Sequence, residues 1–255
     1  MNLTEMDTTE DAVLGGRLVL RQPRRGHRVG HDAILLAAAV PARAGDRAVD
    51  LGAGVGAAGL ALARRVEGLS ITLVEIESTL AALAEANAAR NGLGARVRAV
   101  CVDVTGEVAS LTAAGLAAGM ATHVFMNPPF NIAGHSPSPD PFRRLAHVAS
   151  GETLERWLAA AARLLAAAGT LTLIWRADGL ERVLAALANA FGAVSVLPIY
   201  PKPDTPAIRI LVRAIKGGRA PLAIVPGLTL ADAAGAPTPA AEAILRGGEA
   251  IVWAS

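Results

Sequence analysis

Two short stretches of the 255-residue chain hold side chains of a kind and spacing that chemistry requires: Asp50-Leu51-Gly52-Ala53-Gly54-Val55-Gly56 and Asn127-Pro128-Pro129-Phe130. The glycines of the first let the backbone turn sharply and approach a ligand where a Cβ would collide. The helix expected behind them adds free N–H groups and positive potential at the same place. Gly54-x-Gly56-x-x-Gly59 also satisfies a dinucleotide fingerprint, with Glu75 near the distance expected of a ribose-binding acid. Asp50 favours a different ligand. A carboxylate just ahead of the first glycine repels a pyrophosphate but attracts the ammonium at the methionyl end of S-adenosylmethionine. Glu75 suits a ribose diol in either case, and Asp103 can accept a hydrogen bond from an adenine amino group. The three acids end successive strands, so they line the carboxyl edge of the sheet, where open α/β folds bind ligands. S-adenosylmethionine is therefore the expected cofactor, held by Asp50, Gly52, Gly54, Gly56, Glu75, Ile76, Asp103 and Val104, with Asn127 beside it.

The second stretch follows a strand directly. Two consecutive prolines lack N–H groups and hold a rigid extended backbone, which fixes the carbonyl directions. Asn127 can aim its side-chain oxygen at an amino group, and the Pro128 carbonyl can accept the second hydrogen. An amine on a purine ring is a poor nucleophile because its lone pair is delocalised. Two fixed acceptors favour pyramidal nitrogen and steer that lone pair toward an electrophilic methyl. The methylated, cationic amine is acidic, so the surplus proton leaves without a strong base. Phe130 offers a face for a base to stack on, and Asn127, Pro128, Pro129 and Phe130 form the expected catalytic set.

Short β-rich runs alternating with helical ones must position these residues. Strands are expected at Ala48–Leu51, Ser70–Ile76, Val97–Val102, Thr122–Met126 and Thr170–Trp175. Helices are expected at Asp32–Val40, Val55–Val66, Thr79–Arg90, Leu154–Ala168 and, more weakly, Glu107–Leu116. Such alternation means βαβ crossovers and a mostly parallel sheet with helices on both faces. Val194–Tyr200 and Ile208–Ile215, joined by a short proline-rich loop, must pair antiparallel at one edge. An N-terminal hairpin from Val13–Gln22 and Gly26–Val29, a terminal hairpin from Pro221–Val225 and Leu228–Leu230, and a short helix at Thr238–Leu245 complete the expectation. One domain results, with an extension over residues 1–45, a catalytic core over 46–216 and a smaller extension over 217–255.

Composition narrows the classes. Hydrophobic residues make up 53% and charged residues 18%, which excludes a disordered chain. No apolar run reaches the ~18 residues of a membrane span. The acidic first residues argue against a signal peptide, and a cytoplasmic location is expected. The one cysteine, Cys101, excludes an internal disulfide framework and cysteine-based zinc sites. It is expected to be buried in a strand, and His123 to be a strand residue without a metal partner. The histidines show no ligand spacing, so no metal is expected.

The glycine loop, the acidic strand ends and Asn127-Pro128-Pro129-Phe130 together resemble the class I S-adenosylmethionine-dependent methyltransferases that modify planar amide or amine nitrogens. Gln22-Pro23, Gly26, Arg28-Val29-Gly30-His31-Asp32, Leu35-Leu36 and Ser138-Pro139-Asp140 with Arg144, Ala146 and His147 are similar to the bacterial valine-tRNA adenine-N6 methyltransferase family. Many members of that family have tyrosine where Phe130 stands. The resemblance runs from about Leu14 to Arg246. It implies a Rossmann-like, seven-stranded sheet with an antiparallel last strand, cofactor proximity for Gly30 and Asp32, and methylation of an adenine beside a tRNA anticodon.

All but two of the 24 basic residues, Lys202 and Lys216, are arginine, whose planar fork suits phosphate. Arg17, Arg21, Arg24, Arg25 and Arg28 cluster near the N-terminus. Arg143 and Arg144, with Phe142 to support a flipped base, lie in a proline-rich segment over 131–150 that has the length of a functional loop. Arg24, Arg25, Arg28, Phe142, Arg143 and Arg144 are the candidate RNA contacts. Aromatic residues are only 3%, so an RNA substrate is held more by shape and charge than by extended stacking. A protein glutamine N-methyltransferase is the nearest alternative. A small-molecule methyltransferase, an oxidoreductase and a non-catalytic RNA-binding module stand further off.

Overall fold

A computed structural model describes residues 7–25, 28–129 and 153–253. The main sheet is built from β3 (Arg47–Leu51), β4 (Ser70–Glu75), β5 (Val97–Cys101), β6 (Ala121–Met126), β7 (Leu165–Arg176), β8 (Phe191–Tyr200) and β9 (Arg209–Lys216), with two short strands, β10 (Ala223–Ile224) and β11 (Leu228–Thr229). Its order is β10-β8-β9-β7-β6-β3-β4-β5, with β11 also on β8. Only β9 runs antiparallel, between β7 and β8. The sheet is thus the expected α/β class, with its one reversed strand inside the edge hairpin.

Central strands buried on both faces need near-continuous apolar runs. Val49 and Leu51, Leu73 and Val74, and Val124, Phe125 and Met126 supply them, each at most 1% exposed. One face packs against α1 (His31–Ala39), α2 (Ala57–Arg65), α3 (Ser78–Arg90) and α7 (Pro239–Leu245), through Leu35, Leu36, Leu60, Leu62 and Ile244. The other carries α4 (Val108–Ala113), α5 (Thr153–Leu164) and α6 (Leu180–Leu187), through Leu111, Leu158, Ala161, Val183 and Leu187.

Several elements differ from the sequence expectation. The N-terminal hairpin pairs β1 (Thr8–Val13) with β2 (Leu18–Pro23), Val13 opposite Leu18; of the expected partner Gly26–Val29, residues 26 and 27 lie outside the described residues and Arg28 and Val29 are in no strand. Its turn is Leu14-Gly15-Gly16, where adjacent glycines adopt positive φ. Helix α5 stops at Leu164, four residues short of the expected end at Ala168. Leu165 is fully buried opposite Ala121, and Thr170 pairs with His123, so sheet pairing overrides the helical preference of Ala166–Ala168. Helix α6 was not anticipated. Val183 and Leu187 sit one helical turn apart and bury its inner face, which makes β7–α6–β8 a parallel crossover. The last two strands do not pair with each other. Both run parallel to β8, Ala223 beside Ser195 and Leu228 beside Ile199. Pro226, with no N–H, interrupts one extended segment laid along the free edge of β8. Cys101 is exposed rather than buried, because β5 is the outermost strand.

The two ends of the chain meet on one face. Asn87 on α3 and Asn91, which caps its C-terminus, use their amides as a substitute strand for β2, bonding both the N–H and the C=O of Arg21 and Val19. Near the C-terminus, Ile251 donates its N–H to the Ala38 carbonyl, and Trp253 Nε1 donates to that of Ala39. Arg213 lies 4.6 Å over the Trp253 ring. Arg17 donates to the carbonyls of Arg246 and Gly247, so the hairpin, α1 and the C-terminal segment hold one another. Among the described residues, no helix is long and apolar enough to cross a membrane.

Candidate active site

Strand register brings the predicted chemistry to one edge. Leu51 at the end of β3 pairs with Val74 of β4 on one side and with Met126 of β6 on the other. The next residue of each strand is therefore Glu75, Gly52 and Asn127, in a row at about 4.8 Å per strand. Glu75 pairs with Cys101, and Asp103 lies two residues beyond it.

Gly52, Gly54 and Gly56 all have positive φ. At Gly52 a Cβ built on the backbone runs into the Trp157 ring, which reaches across from α5. At Gly54 nothing lies within 4 Å, so the crest of the loop faces open space and a ligand can come close to its backbone. Glu75, 7% exposed, braces the loop: Oε2 accepts from the Gly54 N–H at 2.8 Å and Oε1 from the Glu77 N–H at 3.0 Å. Asp50 lies deeper, 2% exposed, with Oδ2 accepting from the Gly59 N–H in the first turn of α2 at 3.0 Å. Burial pushes its carboxyl up to about 8, the nearby Glu75 charge adds to the rise, and the Gly59 bond opposes it. An ammonium that offers Asp50 a counter-charge relieves this cost. Asp103 is exposed. Its Oδ1 accepts from the N–H and the hydroxyl of Thr105, and no bond to Oδ2 is found among the described residues. Ile76 presents an apolar side chain 53% exposed beside Glu75, whereas Val104 is buried at 6%.

Asn127 is half-buried, Pro128 buried and Pro129 half-buried at the end of β6. Phe130, and with it Phe142, Arg143, Arg144 and His147, lies outside the described residues. Gly30 caps α1 with nothing within 4 Å of a Cβ built there. Asp32 in the first turn of α1 is tied to Arg209 at the start of β9, Oδ2 to Nε at 2.8 Å. Its carboxylate is thus engaged with the β9 side of the edge.

The N-terminal basic cluster is largely committed within the fold. Arg24 pairs with Asp7 at 2.8 Å and Arg28 with Asp11 at 2.7 Å; Arg21 donates to the Thr8 hydroxyl. Arg25 remains exposed at the hairpin end. His123 bonds Asp46 at 3.0 Å, at the amino ends of β3 and β6 and remote from the site; burial holds its imidazole below the usual range despite that partner. Sequence reasoning missed Trp157. Its signal was available only in three dimensions, because α5 follows Gly52 by about a hundred residues.

A family model described as the methyltransferase small domain matches residues 27–200. The chain belongs to this family. It is 32% identical over 192 residues to the tRNA1(Val) (adenine(37)-N6)-methyltransferase of Aeromonas hydrophila, covering 74% of this chain and 77% of that one. A protein of the same description from Bacteroides fragilis is 28% identical over 190 residues, covering 72% and 76%. Among solved structures, a predicted O-methyltransferase from Agrobacterium tumefaciens superposes with a TM-score of 0.74 at 32% identity, covering 87% of this chain and 98% of that one. A geranyl diphosphate C-methyltransferase from Streptomyces coelicolor, solved with S-adenosyl-L-homocysteine, shares the fold at a TM-score of 0.50 and 13% identity, covering 73% of this chain and 78% of that one. The protein is a methyltransferase, and S-adenosylmethionine is its cofactor. The site suits that cofactor: the open crest at Gly54, the buried acid beneath it, and Glu75 and Asp103 spaced outward along the edge. When bound, the cofactor supplies an electrophilic methyl on a sulfonium.

Proposed function

We propose that the chain methylates the exocyclic N6 of an adenine in RNA, with tRNA as the substrate. The observation that carries this reading is the register that sets Asn127 next to Gly52, an amine-orienting group beside the cofactor loop. The names of the relatives from Aeromonas and Bacteroides support it. On this reading Asp50, Gly52, Gly54, Gly56, Glu75, Ile76, Asp103 and Val104 hold the cofactor, with Gly30 and Asp32 near it.

Asn127 Oδ1 and the Pro128 carbonyl accept the two amine hydrogens, which favours pyramidal nitrogen and turns its lone pair toward the methyl. Pro129 fixes the carbonyl direction and Phe130 supplies the stacking face. The nitrogen forms the new bond to carbon as the carbon–sulfur bond breaks, and the surplus proton then leaves to solvent. A hydroxyl acceptor has only one hydrogen to offer these two carbonyls, so the motif favours an –NH2 group. The activity belongs where tRNA is found, in the cytoplasm. The test is incubation with tritiated cofactor and total tRNA, with ribosomal and release-factor protein in parallel, followed by nucleoside digestion and mass analysis. Label in N6-methyladenosine is the expected result. Label confined to protein glutamine or to a small molecule overturns the proposal.

A further inference from the structure

Arg176 is the last residue of β7 and Arg209 the first of β9, and the antiparallel register sets them directly opposite each other. Like charges in facing positions disfavour strand pairing. Each arginine has its own carboxylate: Asp178 accepts from Nε of Arg176 at 2.9 Å and also from Nη2, while Asp32 accepts from Nε of Arg209. Both acids grip the Nε side, which holds each planar fork in a set orientation and leaves Nη1 of Arg176 outside the grip. Arg176 is 33% exposed, so an incoming anion can reach it, whereas Arg209, 28% exposed, also donates Nη1 to the Ile208 carbonyl at 3.0 Å.

Their position gives the arrangement a direction. Met126 pairs with Leu173, so continuing the β6–β7 register sets Asn127 beside Ile174 and Pro129 beside Arg176. The strand β8, parallel to β7, ends at Tyr200 on the same edge, and exposed Lys202 follows it. The rim on the acceptor side of Asn127 therefore carries Arg176, Arg209 and Lys202, with Asp178 and Asp32 paired to the two arginines.

We infer that Arg176, aligned by Asp178 and facing the Arg209–Asp32 pair, forms a phosphate seat for the strand whose base is presented to Asn127. The inference rests on the RNA reading above and gives that substrate its backbone contact. A phosphodiester oxygen takes the outward N–H groups of Arg176, while Asp32 and Asp178 keep the two forks aligned.

The test uses the full-length protein with Arg176→Gln and Arg176→Lys. Methylation kinetics on total tRNA, tRNA binding across a salt series, and calorimetric binding of S-adenosylhomocysteine are measured for each. Arg176→Gln should raise KM for tRNA about tenfold and reduce the slope of log affinity against log salt by about 0.7–0.9, one phosphate contact. Cofactor-product binding should stay unchanged, which also verifies folding. Arg176→Lys should restore the salt slope but not the whole of KM, because a point charge replaces a fork. If wild type methylates tRNA and Arg176→Gln keeps its KM and salt slope, the phosphate seat is wrong and the RNA reading stands. If wild type methylates only another acceptor, the RNA reading falls and takes the seat with it.

Discussion

Asp50 offers a sharp test of how the site holds its cofactor. Its carboxyl in the folded, unliganded protein is pushed up to about 8, so near pH 7 the protonated form dominates by roughly ten to one. Binding an ammonium next to it favours the ionised form, so association near neutral pH must release one proton. Affinity for S-adenosylhomocysteine should then rise almost tenfold per pH unit between about pH 6 and 7, below the range in which the ligand's own amine titrates. Calorimetry in buffers of different ionisation enthalpy reads the released proton directly. Asp50→Asn keeps an oxygen for the Gly59 N–H but cannot ionise. It should lose the pH slope and the proton release, and bind about ten- to hundredfold more weakly near pH 8, the worth of a charge-assisted bond. Stability moves the other way. A raised folded pKa means stability is full below the ordinary carboxylate value of 3.8 and declines as pH rises to about 8. At 1.36 kcal/mol per unit the decline has an upper limit of about 6 kcal/mol, and Asp50→Asn should abolish it. The unliganded variant should therefore melt above wild type near pH 7.5. A wild-type affinity flat between about pH 6 and 7, or a slope shared by the asparagine variant, would refute the role assigned to Asp50.

Asn127→Ala should cut methyl transfer about 10²–10³-fold while cofactor binding by calorimetry changes little; equal loss of both would contradict an acceptor-orienting role. Gly52→Ala places a methyl into the Trp157 ring at positive φ and should cost about 1–3 kcal/mol in chemical denaturation. Adding Trp157→Ala should recover the steric part of that loss and not the backbone part, which a double-mutant cycle resolves. Trp253→Ala removes the bond to the Ala39 carbonyl and the ring under Arg213, and should destabilise by about 1–3 kcal/mol, with hydrogen exchange rising first in α1 and the C-terminal segment.

The parts of the molecule that were readable in advance are those where local pattern and tertiary demand agree. The strand ending at Leu51, the glycines after it and the helix behind them form one continuous signal, since the same residues set the turn and the contact. Asn127-Pro128-Pro129 was readable for a similar reason: prolines end a strand wherever they fall. The misses have the opposite character. Ala166–Ala168 has helical composition, yet Leu165 is captured by β6 across a gap of more than forty residues. The arginines near the N-terminus read as a basic patch, because the β1–β2 pairing is what brings Asp7 to Arg24, and only the chain's return past β2 brings Arg28 to Asp11. Arg176 and Arg209, thirty-three residues apart, gave no signal at all until two strands placed them face to face.

That last juxtaposition bears on why the site discriminates between its two ligands. On the proposed reading both meet the carboxyl edge of one sheet, one bearing an ammonium and a sulfonium and the other a phosphate chain. Fields of a few kT sort such ligands when opposite charges are separated along a cleft. On that reading the β3–β4–β5 side of the edge carries Glu75 and Asp103, while Asp50, protonated near pH 7 until an ammonium lies beside it, is buried beneath the glycine loop. Beyond Asn127, the proposed seat on the β7–β9 side offers the outward N–H groups of Arg176 to the phosphate chain. Asn127, neutral and able to accept, lies between the two sides. A charged residue there would draw one ligand across the boundary, whereas an amide can orient the amine without favouring either side.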